Sequence, residues 1–276
     1  MDGIERIVAG RWIAGESVED AIHVARKLNK SNIRAIINYL GELHENKAEI
    51  RKAADEYLKL IKKITKSGVK ADIAVKPTQI GLALGKLEFL MNFKRIKSEA
   101  GRAGVFVWLD MEEQEFVSDT IDVYLETMSG FTGICIQAYL KRSLRDASKL
   151  VARGAVIRLV KGAHRSKGPG FYGGREVTSN YMRLMDYLFR KSKVFTVASH
   201  DPKIIERALR LNRRYRRRVT YAMLEGIRSN YAIRLAQHGE LVSTYVPFGP
   251  EWRAYSLRRL EELGNLKLVL RSLLGG

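Results

Sequence analysis

Seven short apolar segments of the chain close on side chains that carry charge or form hydrogen bonds. They are Lys76, Asp110, Gln137, Arg158 with Lys161, Ser199 with His200, Glu225, and Tyr245. One such segment surfacing into water is ordinary. Seven ending alike point to one shared polar site. Cations are prominent in the set, which suits an anionic partner. Arg158 is the most demanding member, since it lies inside AVIRLV with apolar neighbours on both sides. A guanidinium buried there needs an anion beside it, because an unpaired charge is costly to desolvate.

These residues sit at the ends of segments whose periodicity defines the architecture. Ser17 with Asp20 reads as a helix N-terminal capping pair. Val18, Ala21, Ile22, Ala25 and Leu28 then recur at helical spacing. Strands are expected at 33–40, 71–76, 104–110, 131–137, 155–161, 193–200, 218–225 and 241–246. Helical stretches alternate with them, and a final helical region begins near residue 251. Eight apolar strands alternating with helices imply parallel pairing through βαβ crossovers. Eight units in 276 residues match a closed (β/α)8 barrel of the TIM type, whose active site lies at the carboxyl ends of the strands. A doubly wound open sheet is the alternative, but G-x-G-x-x-G after the first strand is absent. No composition shift divides the chain, so one domain over residues 1–276 is expected. It carries a helical lead-in over about 1–31 and an amphipathic segment over about 264–276.

Composition narrows the function further. The single cysteine, Cys135, excludes a disulfide or a Cys-based zinc or iron–sulfur site within one chain and fits a reducing, cytoplasmic setting. Residues 1–17 hold no apolar core of signal-peptide length, and no uncharged apolar run is long enough to span a bilayer. Lys and Arg number 49 against 30 Asp and Glu, a formal net charge of +19. That balance raises nucleic acid, a lipid surface and an acidic substrate as partners. The densest run, Arg213, Arg214, Tyr215, Arg216, Arg217 and Arg218, has no nucleic-acid-binding motif around it. It reads as a solvated helix end, and no nucleic-acid partner is expected.

Seven segments occur in an order that resembles proline dehydrogenase. They are VKPTQIG (75–81), WLDMEE (108–113), IQAYL (136–140), RLVKGA (158–163), SHD (199–201), MLEGIR (223–228) and YVPFGPEWRAYSLRRLEE (245–262). The resemblance runs from about residue 9 to about residue 262. It implies a distorted (β/α)8 barrel containing FAD, oxidation of L-proline to Δ1-pyrroline-5-carboxylate, and a quinone as electron acceptor, the first step of proline catabolism.

The resemblance also implies a role for each matching residue. Arg258 and Arg259 would hold the proline carboxylate, with Lys76 adding a second charge. Asp110 would be the active-site carboxylate, paired with Lys76 and positioning it, while Tyr245 and Tyr255 would pack over the bound ring. Arg158 would stand beside the flavin, where a cation stabilises the reduced ring. Met111 and Gln137 would contact that ring, and Ser199 with His200 would touch the flavin after the sixth strand. Lys161, Gly162 and Ala163 would form a turn whose glycine lets backbone approach a phosphate.

Two positions depart from the family pattern: His164 stands where a tyrosine is usual, and Ala222 where a glutamine is usual. Neither belongs to the carboxylate clamp. A quinone acceptor, together with the net charge, implies peripheral contact with the inner membrane face, and a pyrroline-5-carboxylate dehydrogenase is an expected partner. Two other readings stay open: a flavin-dependent dehydrogenase of another cyclic or secondary amino acid, and a basic barrel without catalysis.

Overall fold

In the computed structural model eight parallel strands close on one another in chain order. The structure describes residues 11–162, 168–253, 255 and 256. The strands are β1 (Ile33–Tyr39), β2 (Ala71–Val75), β3 (Val107–Leu109), β4 (Thr132–Gln137), β5 (Val156–Val160), β6 (Val194–Ala198), β7 (Arg218–Leu224) and β8 (Leu241–Phe248). Residues 33–39 of β1 pair with 242–248 of β8, which closes the barrel. All eight expected strands are present, and the open-sheet alternative is excluded by that closure.

Helix α1 (Val18–Asn29) precedes β1, and α2 (Lys47–Ser67), α3 (Lys86–Arg102), α4 (Val117–Thr127), α5 (Ser143–Ala152), α6 (Gly174–Lys191), α7 (Pro202–Tyr215) and α8 (Ser229–Gln237) link successive strands. Local chemistry sets their ends. Ser17 and Asp20 form the expected reciprocal cap of α1, and α2 stops at Gly68 with φ 67°, a left-handed residue that glycine adopts without strain. Asp201 caps α7 and Pro202 opens it.

Each strand buries two faces. The outward side chains, among them Ile73, Leu109, Ile134, Leu159, Val197 and Tyr221, pack beneath the helices in one continuous core. Burying each aliphatic side chain there contributes about 1.5–3 kcal/mol. The inward face is different: parity through the registers places Trp108, Cys135, Arg158, Thr196, Ala222, Ser243 and Tyr245 inside. Charge and aromatic surface are thus concentrated where a barrel of this size is ordinarily filled by branched aliphatics.

One glycine makes room for them. A Cβ built on Gly133 would lie 2.5 Å from the ring of Trp108. Gly133→Ala should therefore push Trp108 aside and cost about 1–3 kcal/mol of stability, read as a lower urea midpoint. An unchanged midpoint would show that the ring has space to spare.

Candidate active site

The mouth of the barrel is organised by a buried cation. Arg158 is 3% exposed and lies in register with Cys135 on the neighbouring strand. Its guanidinium carbon is 5.0 Å from the Trp108 ring centroid and 5.4 Å from that of Tyr245, within cation–π range of both. Nη2 forms a salt bridge with Asp110 Oδ1, and Nε donates to Cys135 Sγ at 2.9 Å. Burial works against the charge of Arg158; Cys135, Asp110 and Tyr245 outweigh it and hold the guanidinium protonated above its ordinary range. Asp110 thus supplies the anion that burial of Arg158 demands.

Asp110 follows β3 and is shared. Tyr245 donates its phenol to Oδ2 at 2.7 Å, and Cys135 donates its thiol to Oδ1 at 3.4 Å. Burial, then the charge of Asp110, push the Tyr245 phenol well above its usual value, with Arg158 opposing. The expected pairing of Asp110 with Lys76 is corrected here. Lys76 Nζ instead meets Glu42 Oε2 at 2.7 Å, a residue of the β1–α2 loop, because the stronger demand of buried Arg158 takes the aspartate.

Glu112 ties the neighbouring loops together. It accepts from the Thr78 amide at 2.7 Å and the Thr78 hydroxyl at 2.8 Å, while Thr78 Oγ1 accepts from the Leu43 amide at 2.9 Å. Burial raises the pKa of Glu112, with Lys76 and Thr78 pulling the other way. Beneath them the Tyr57 hydroxyl of α2 lies within hydrogen-bonding distance of Ala74 O (3.0 Å) and Gln79 Oε1 (2.9 Å). These contacts fix the loop on which Lys76 stands.

The residues expected around a cofactor line the adjoining sector. Gln137 donates to the Met111 carbonyl at 3.0 Å. Lys161 Nζ stands 3.5 Å from Asp201 Oδ2. Ser199 Oγ accepts from the Asp201 amide at 3.1 Å, and His200 Nε2 accepts from the Leu224 amide at 3.2 Å, which puts the proton of a neutral ring on Nδ1. Gly162 has φ 108°, and a Cβ there would meet the Tyr139 ring at 2.0 Å. Close approach of that ring is therefore sufficient reason for the glycine. Tyr255 is buried with Trp12, Ile13 and Leu40. Ala163, His164, Arg258, Arg259 and residues 264–276 lie outside the described residues.

Sequence reasoning missed Cys135 as a contact, Trp108 as an aromatic ring against Arg158, and Glu42 as the partner of Lys76. Counting by twos from Asp110 and Gln137 reaches Trp108 and Cys135 on the same inward face. Glu42, in a loop, carries no comparable signal.

Comparison with known proteins establishes the family. The family model described as proline dehydrogenase matches residues 21–269. The chain belongs to the proline dehydrogenase family. Proline dehydrogenase 1 of Bacillus subtilis strain 168 is 32% identical over 276 residues, covering 98% of this chain and 91% of that protein. Proline dehydrogenase of Deinococcus radiodurans is 32% identical over 281 residues, with the same coverage of both. The crystal structure of proline utilization A from Bdellovibrio bacteriovorus superposes with a TM-score of 0.84 at 24% identity. It covers 92% of this chain and 32% of that longer one, and shows that the barrel fold is shared. The chain is a proline dehydrogenase-family oxidoreductase, and no helix among the described residues is long and apolar enough to cross a membrane.

Two predictions follow from the burial of ionisable groups. The Cys135 thiol is pushed up to about 12, chiefly by burial. Iodoacetamide at about pH 8 should leave it unmodified in the native protein and alkylate it after denaturation; rapid native labelling would contradict the buried thiol. Burial also raises Glu225 from 4.5, with Lys27 opposing. Such a carboxyl stabilises the fold in its protonated form, a contribution complete at low pH and lost as pH rises through the folded-state value. Glu225→Gln should therefore gain stability relative to the parent as pH is raised from about 5 to about 8. A difference independent of pH, measured by urea unfolding, would rule this out.

Proposed function

We propose that this chain oxidises L-proline to Δ1-pyrroline-5-carboxylate with bound FAD and passes the electrons to a quinone, opening proline catabolism. The observation that carries this reading is the Arg158 cluster at the barrel mouth. Arg158 Nη1 and Gln137 Oε1 are buried polar atoms with no hydrogen-bond partner. A donor and an acceptor left open in this way suit the polar edge of a flavin ring.

FAD, when bound, supplies an acceptor for hydride from a C–H bond. The chain would hold it with Arg158, Gln137 and Met111 at the ring and with Ser199 and His200 beside it. Lys161, Gly162 and Ala163 would stand at the phosphates, where the lysine adds positive charge. Asp110 keeps Arg158 charged and aligns the Tyr245 phenol, and its own oxygens are occupied by those tasks. Arg158 in turn presents positive charge where a reduced ring would carry negative charge.

Lys76 would meet the substrate carboxylate. Glu42 uses one of its three N–H donors, which leaves two for the carboxylate. Arg258 and Arg259 would complete the clamp with the planar, two-pronged geometry that guanidinium offers a carboxylate. Tyr245 and Tyr255 would wall the ring of the substrate. The net charge of +19 favours peripheral contact with an anionic membrane face, where a quinone dissolves. A pyrroline-5-carboxylate dehydrogenase would consume the product.

Purified protein should be yellow, and anaerobic L-proline should bleach its flavin absorbance. A colourless preparation that takes up no FAD, or a yellow one that L-proline leaves unchanged, would overturn the reading. Arg259→Met should retain flavin and raise KM for proline by the equivalent of about 2–5 kcal/mol; an unchanged KM would remove Arg259 from the clamp.

A further inference from the structure

Cys135 stands between the two members of the ion pair, and the reading above gives it no task. It is 3% exposed, and its sulfur touches both members of the ion pair, accepting from Arg158 Nε and donating to Asp110 Oδ1. Burial keeps the proton on sulfur far above neutral pH, so the group is at once acceptor and donor.

The guanidinium has little freedom that this contact does not control. The Trp108 and Tyr245 rings lie within cation–π range of it and limit where it can move. Its rotation is then set by the bonds that its N–H groups make. Arginine and carboxylate commonly pair through two parallel bonds, with both oxygens on one edge of the fork. Here Asp110 gives one oxygen to Nη2 and keeps the other for Tyr245. That division is stable because sulfur already satisfies Nε. With Nε bare and buried, Asp110 would gain by turning both oxygens onto Arg158, abandoning Tyr245 and rotating Nη1.

We propose that Cys135 is a positioning residue: it occupies Nε, keeps Asp110 divided between Arg158 and Tyr245, and so directs the open Nη1 towards the flavin. The functional consequence rests on the flavin-dependent reading above, whereas the contacts rest on the structure alone. The Asp110–Arg158 pair by itself leaves this orientation undetermined; the thiol determines it.

The test compares parent, Cys135→Val and Cys135→Ser holoprotein. Valine fills the space without hydrogen bonding, and serine restores a donor and an acceptor. In Cys135→Val the Arg158 Nε–H resonance, identified by its loss in Arg158→Lys, should shift and exchange with solvent about tenfold faster. The flavin reduction potential should move, and kcat should fall about tenfold with KM for proline within about twofold. Cys135→Ser should recover most of each change. Cys135→Ala gives the same comparison should the valine variant not fold. Unchanged Nε–H signal, potential and kcat in the variants would overturn the proposal, as would equal impairment by serine and valine. A parent that L-proline does not reduce overturns the substrate assignment instead, and the Nε–H comparison, made without substrate, still decides the role of Cys135.

Discussion

A guanidinium buried inside the barrel is the constraint on which the site depends. Arg158 is 3% exposed, and its charge survives there because Asp110 is beside it and two aromatic rings lie within cation–π range. Removing one partner of such a pair leaves the other as an uncompensated buried charge, which is far more damaging than the net value of the pair suggests. Four strands must close in the correct register to deliver these groups: β3 for Asp110, β4 for Cys135, β5 for Arg158 and β8 for Tyr245. The cluster therefore links barrel closure to chemistry. An error of one residue in any of these strands would turn its polar side chain into the helix-covered core.

Small residues on the inward face are the complement of that cluster. Gly133 admits the Trp108 ring, and Ala198, Ala222 and Ser243 are register neighbours across β6, β7 and β8. Ala222, one of the two departures from the pattern that the resemblance implied, belongs to this run of small side chains.

The architecture was legible because its signal is repetitive. Periodicity marks the eight strands and their intervening helices, and the polar strand ends mark the mouth. Pairing within the mouth was harder to read. The resemblance implied that Asp110 pairs with Lys76, a residue of opposite charge at the end of the adjacent strand. That pairing failed because burial ranks the cations: Arg158, deeper and better enclosed, claims the aspartate, and Lys76, nearer the rim, takes Glu42 from a loop. Burial depth is a property of the closed barrel and leaves no trace in local spacing. Cys135 was overlooked for a related reason, since a lone cysteine in an apolar strand resembles any small core residue.

A double-mutant cycle on Asp110 and Arg158 tests this dependence most directly, with unfolding free energies measured for Asp110→Asn, Arg158→Met and the double variant. Each single change should cost about 3–5 kcal/mol, and the double variant clearly less than their sum, because the second change removes the charge that the first left stranded. Strictly additive costs would mean that the two side chains do not support one another, and the buried ion pair would cease to be the foundation of the site.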